Sequence, residues 1–248
     1  MNGRTFHARH HRAEPAGGGS LGLASNASVV NNGLWEDQGT GSLTTFNAAG
    51  GRFTNNGVYR KTAAGNSFLA PPVLNNPGTI EIQAGVLTLQ NGSASTGVIT
   101  GNGGPVVSGA GLTNSGRLAP GLGGVGLLTL NGSFQQTAGG IFAVDLNSPA
   151  SAGRFNITGP ATLGGTLALN CAGACSFAIG DSVTILDASA SLSGSIASVT
   201  MQGFASGAFS VVCGGASVRL VATQAVSAVP EPASLARMPC WPTVRGCV

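Results

Sequence analysis

The chain has 248 residues, of which 42% are hydrophobic and only 8% charged, with 41 glycines and a net charge of +3. Globular proteins carry about 25% charged residues, and so few charged helix formers among so many glycines disfavour helix interiors. A helical bundle and a charge-driven disordered chain are therefore excluded, leaving an all-β, turn-rich protein.

The charge is concentrated at the ends. Between Asn26 and Ser227 the cations Arg52, Arg60, Lys61, Arg117, Arg154 and Arg219 are balanced by Glu36, Asp37, Glu81, Asp145, Asp181 and Asp187. Nucleic-acid recognition needs clustered Lys and Arg, so no nucleic-acid partner is expected. No run approaches the roughly 18 apolar residues of a membrane-spanning helix.

In chain order, residues 1–25 read as a disordered tail, with Arg and His first and then Ala, Gly and Pro. The first twenty residues have the positive charge of a signal peptide without the apolar segment that follows it. His7, His10 and His11 all lie here. The folded region is thus left without a histidine base or ligand, and a Ser-His-Asp triad is ruled out.

Repeats follow at once. VNNGLW (Val30 to Trp35), TNNGVY (Thr54 to Tyr59), LNNPGTI (Leu74 to Ile80) and LTNSGRL (Leu112 to Leu118) each place an Asn-rich turn and a glycine before an alternating strand. Gly33, Gly57, Gly78 and Gly116 give steps of 24, 21 and 38, the last near two steps of 19. A second pattern, GVLTLQNG (Gly85 to Gly92), GLLTLNG (Gly126 to Gly132) and GGTLALN (Gly164 to Asn170), alternates Leu with Thr or Ala. Asn and Gly turn the chain at low cost, and alternation sends every second side chain inward. A unit of about 20 residues cannot bury its own apolar face, but stacked units can. The expectation is a parallel β-helix over residues 26–225, with nine or ten coils spanning about 45 Å at about 4.8 Å per coil. The alternative is a β-sandwich of Asn-Gly hairpins.

Four segments then occur in order: NSGRLAPG (Asn114 to Gly121), GLLTLNGSFQQTAGGIFAVDL (Gly126 to Leu146), FNITGPATLGGTL (Phe155 to Leu167) and GDSVTILDA (Gly180 to Ala188). Together they resemble the β-helical passenger repeats of bacterial autotransporters and related exported surface proteins. That resemblance implies a right-handed helix used as a scaffold. Near the C-terminus, AVPEPAS contains Val229, Pro230, Glu231, Pro232, Ala233 and Ser234. It resembles the sorting signal of PEP-CTERM proteins, which are exported by Gram-negative, often exopolysaccharide-producing bacteria. In that family an apolar helix follows the triplet; here Pro239 and Pro242 forbid one. Residues 226–248 therefore read as a truncated or frame-changed sorting tail.

Candidate sites are few. GLGGVG (Gly121 to Gly126) matches G-x-G-x-x-G, but LLTLNG after it reads as a strand rather than the helix a pyrophosphate needs. Glu36 and Asp37 should face opposite sides of a strand, and the six core acids read as surface carboxylates. Cys171 and Cys175 bracket CAGAC and form a possible disulfide in an oxidising compartment. No catalytic, cofactor-binding or metal-binding residue is expected. The sequence thus reads as a non-enzymatic exported cell-surface or matrix protein, adhesin-like, whose partners would be exopolysaccharide or cell-surface components and the sorting machinery. A carbohydrate-active lyase or hydrolase and a degenerate gene product are the alternatives.

Overall fold

The computed structural model describes residues 5–13, 20–23, 27–39, 42–45, 51–70, 73–89, 93–102, 106–108 and 111–227. Every regular element among them is a β-strand. The strands come in sets. The first two sets are β1 (Thr5–Ala13) with β2 (Ser20–Leu23), and β3 (Ser28–Asp37) with β4 (Ser42–Thr45). Next come β5 (Arg52–Asn55), β6 (Val58–Lys61) and β7 (Asn66–Leu69), then β8 (Val73–Asn76), β9 (Thr79–Ile82) and β10 (Val86–Leu89). The middle sets are β11 (Ser93–Ser95), β12 (Val98–Gly101) and β13 (Val106–Ser108), then β14 (Leu112–Asn114), β15 (Arg117–Pro120) and β16 (Leu127–Asn131). The later ones are β17 (Phe134–Gln136), β18 (Ile141–Ser148), β19 (Ser151–Ala152) and β20 (Arg154–Ile157), then β21 (Ala161–Leu163), β22 (Thr166–Cys171) and β23 (Ser182–Ala188). Last are β24 (Leu192–Gly194), β25 (Ser198–Gln202), β26 (Phe209–Gly214) and β27 (Ser217–Ala222).

Corresponding strands of successive sets pair in parallel, forming three ladders. One runs from the first half of β3 through β5, β8, β11, β14, β17 and β21 to β24. A second runs from the other half of β3 through β6, β9, β12, β15, β18 and β22 to β25. The third runs from β2 through β4, β7, β10, β13, β16 and β20 to β23. A hairpin sandwich would pair sequence neighbours antiparallel; here β18–β19 and β26–β27 are the neighbours that do so. The sandwich alternative therefore fails, and the pairing is consistent with a solenoid-like all-β class.

Three expectations need correction. Residues 5–13 and 20–23, assigned to a tail, are strands: β1 pairs with both halves of β3, from Thr5 opposite Ser28 to Ala13 opposite Asp37. The physical reason is that β3 would otherwise present an open edge of unpaired N–H and C=O groups. Second, eight sets start at or after Ser28, fewer than nine or ten, because later steps lengthen. Register partners Phe134 and Ala161 are 27 apart, and Ala161 and Leu192 are 31 apart. Third, GGTLALN joins the second ladder as β22, whereas GVLTLQNG and GLLTLNG supply β10 and β16 of the third. Alternation of Leu with Thr or Ala specifies a buried strand face and not which ladder the strand joins.

The step of 38 resolves at Gly97. A Cβ on Gly57, Gly78, Gly97 or Gly116 would lie 2.0–2.1 Å from the carbonyl oxygen of the preceding glycine in the column Gly33–Gly57–Gly78–Gly97–Gly116. Glycine is needed there for close backbone approach. Alternate residues are buried in most strands up to β22, whereas β24 and β25 hold no buried residue, and one core runs from Leu23 and Val29 to Leu220 and Ala222. At the C-terminal end the third ladder finishes in antiparallel strands, β27 on β23 and β26 on β27.

Candidate functional site

Outward positions of the first ladder form one continuous row. Thr54, Asn75, Ala94, Thr113, Gln135, Thr162 and Ser193 are successive register partners. The Thr162 and Ser193 hydroxyls bond at 3.1 Å. Across Thr113, Gln135 and Thr162 the row opens into a cavity of about 330 Å³, floored by Leu112 and Phe134 and walled by Ser133 and Pro160. Hydroxyl and amide groups at about 4.8 Å intervals can exchange hydrogen bonds with a polar ligand laid along the row.

The core acids are occupied elsewhere. Glu36, Arg60 and Glu81 form a column on the second ladder. Arg60 Nε contacts Glu81 Oε2 at 2.9 Å, and Gln83 donates to Glu81 Oε1 at 2.6 Å. Asp145 accepts from Asn170 at 2.9 Å, and Asp181 Oδ2 from the Ala178 N–H at 2.7 Å. Asp187 is exposed on β23. Glu36 and Asp37 do face opposite ways: Glu36 is half-buried outside and Asp37 is 3% exposed inside. Trp35, Phe53 and Tyr59, the aromatic residues nearest these acids, are buried, so they offer no stacking surface to a sugar.

The interior holds two polar features that strand alternation alone would have located. In the two Asn-Asn-Gly turns the first asparagine, Asn31 or Asn55, points inward, and in Asn75-Asn76-Pro77-Gly78 it is the second, Asn76. Asn31 Nδ2 donates to Asn55 Oδ1 at 2.7 Å, Asn55 Nδ2 to Asn76 Oδ1 at 2.7 Å, and Asn76 Nδ2 to Ser95 Oγ at 2.9 Å. The same nitrogens cap the carbonyls of Val58, Thr79 and Val98, just past the stacked glycines. The second asparagine of the two Asn-Asn-Gly turns stays outside, where Asn56 donates to Asn32 at 2.8 Å.

The second feature is Asp37, Tyr59 and Lys61, which share the inward parity of Trp35. Tyr59 donates to Asp37 Oδ2 at 2.6 Å. Burial first, then the Asp37 charge and that hydrogen bond, raise the Tyr59 phenol well above its ordinary value. Burial lowers the Lys61 ammonium, opposed by the Asp37 charge.

Cys171 and Cys175 are disulfide-bonded with Cα atoms 5.9 Å apart, and Cys213 is free and exposed on β26. Gly121 to Gly126 leads into strand β16, so no helix N-terminus is there for a pyrophosphate. His7, His10 and His11 lie on β1, opposite Val30, Leu34 and Trp35. The sorting motif, Val229 to Ser234, lies outside the described residues. Among those residues no helix is long and apolar enough to cross a membrane. No protein-family model and no curated protein matches the chain.

Proposed function

We propose that the chain is a non-enzymatic, exported cell-surface or extracellular-matrix protein, adhesin-like, folded as a right-handed parallel β-helix. The observation that carries this reading is the outward row from Thr54 to Ser193, polar at every position except Ala94, laid over a continuous hydrophobic core. Such a rod presents many weak, equivalent polar contacts, which suits repetitive matrix polysaccharide. The carboxylates support the same reading, because Glu81, Asp145 and Asp181 already hold structural hydrogen bonds. Export and sorting through Val229 to Ser234 belong to the proposal and rest on the resemblance of those residues to PEP-CTERM signals.

Co-sedimentation with a panel of bacterial exopolysaccharides tests it. Binding that weakens with Gln135→Ala and Thr162→Ala, without release of sugar products, is the expected result. Product release abolished by replacing Glu81, Asp145 or Asp181 would overturn the reading in favour of an enzyme.

A further inference from the structure

Lys61, the one lysine of the chain, is fully buried beneath the aromatic cluster of Trp35, Phe53 and Tyr59. Its Nζ donates to carbonyl oxygens, Ala63 at 2.7 Å and Gly39 at 3.3 Å. Its register partner on the adjacent strand is Asp37, whose Oδ1 accepts from the Gly39 N–H at 3.3 Å and whose Oδ2 accepts from Tyr59 at 2.6 Å. Amine and carboxyl thus hold opposite ends of one glycine, with no direct ion pair between them. Two buried charges without mutual contact are costly. Burial favours the neutral amine.

We propose that Asp37 and Lys61 become joined by an amide cross-link, formed autocatalytically once β3 and β6 pair. The neutral Nζ attacks Cγ of the protonated carboxyl, the C–N bond forms, and the C–Oδ2 bond breaks. Oδ2 departs as water, carrying the carboxyl proton and one proton that originates on Nζ. Tyr59, hydrogen-bonded to Oδ2, delivers a proton to the leaving oxygen and is reprotonated from the amine nitrogen. No oxidant, metal or cofactor enters the balance. Strand pairing turns the encounter into an intramolecular one, for which effective molarities reach about 10⁵–10⁸ M. Attack requires Nζ to leave the Gly39 and Ala63 carbonyls that hold it. The product replaces two buried ionisable groups by one neutral amide and staples the strand sets of β3 and β6 covalently.

The intact mass of the full chain, reduced and denatured, decides the matter. The expected mass is one water molecule below that of the sequence, with a proteolytic map joining the Asp37 and Lys61 segments. Lys61→Met and Asp37→Ala, checked for an unchanged β-sheet spectrum, should keep their full sequence masses. Asp37→Asn should lose ammonia instead of water. In freshly translated chain, Tyr59→Phe should slow linkage by about 10²–10⁴-fold, the usual range for general acid–base assistance. A wild-type chain that keeps its full mass after prolonged incubation overturns the proposal. So does a water loss that persists in Lys61→Met or Asp37→Ala. The wild-type map stays decisive if a variant fails to fold.

Discussion

In the earlier strand sets the last inward position of the first ladder is polar, through Asn31, Asn55, Asn76, Ser95, Asn114 and Gln136; the next position in the column is Leu163. Set length changes along the same column. Hydrogen-bonded neighbours in the side-chain ladder are 24, 21 and 19 residues apart, whereas the sets that start at Phe134 and Ala161, beyond the last of these bonds, step by 27 and 31. An amide that must meet the next amide at 2.7 Å and cap a carbonyl beyond a stacked glycine fixes the corner of each set. Buried polar groups specify register in this way at some cost in stability. Past Ser95, where the side-chain ladder ends, the sets carry insertions: the β18–β19 hairpin follows Gln136 and the Cys171–Cys175 loop follows Leu163. Both regions pack aromatic rings, Trp35, Phe53 and Tyr59 in the earlier one and, in the later one, Phe155 with ring centroids 5.0 Å from Phe134 and 6.2 Å from Phe142, so the amide ladder is what sets them apart.

The largest expected effect tests whether the two regions are separable. Phe155→Ala should cost about 3–5 kcal/mol. Solenoid stability is close to a sum of nearest-neighbour terms, so amide hydrogen exchange should quicken in β17–β23 while β5–β9 keep their protection. Equal loss of protection along the whole chain would show one cooperative unit and dissolve the comparison. Gly97→Ala is next, at about 1–3 kcal/mol for overpacking, because its Cβ would sit 2.0 Å from the Gly78 carbonyl oxygen. Gly214→Ala, whose Cβ meets nothing within 4 Å, should melt with the parent.

The amide ladder itself is sharpened by a pair of substitutions. Asn55→Leu strands the Asn76 Oδ1 and the Thr79 carbonyl and removes one partner of Asn31. It should cost about 1–3 kcal/mol per group left unpaired. Asn114 lies past the break: its Nδ2 reaches Gly116 O at 3.2 Å, and its Oδ1 is buried without a partner. Asn114→Leu should cost less than half as much in the same denaturant titration, and equal costs would deny that the ladder ends at Ser95.

Much of this architecture was legible. Spacing of Gly33, Gly57, Gly78 and Gly116 located the stacked turns, and the odd step of 38 contained Gly97. What escaped was the inward asparagine, because Asn before Gly reads as a turn residue and nothing in composition distinguishes an amide facing water from one facing its own copy. Lys61 escaped for a related reason: charge marks a residue as exposed, whereas its parity with Tyr59 in Val-Tyr-Arg-Lys places it inside. β1 escaped because Arg and His read as a solvated tail, and its pairing with β3 joins segments 23 residues apart. The outward row followed directly once register was known; register is a pairing between strands about 20 residues apart, which no single segment encodes.

The smallest expected effect concerns pH and belongs to the earlier region alone. Tyr59 is 2% exposed, and its pKa is raised in the fold, chiefly by burial. In the unfolded chain it ionises near its ordinary value of 10.0. Above that pH the unfolded state therefore binds fewer protons than the native state, and stability falls as pH rises. Below it the Tyr59 contribution is fully present. In an unlinked Lys61→Met background, where Asp37 keeps Oδ2, Tyr59→Phe removes the hydrogen bond to Asp37 and should cost about 0.5–1.5 kcal/mol at neutral pH. It also removes the ionisable group, so the gap between variant and parent should close as pH climbs past 10. The later strand sets hold no tyrosine, so hydrogen exchange in β20–β23 should lack this alkaline step. A gap that stays constant up to pH 11 would mean that the phenol ionises as readily in the fold as outside it, and the interior around Asp37 would then be wetter than its burial implies.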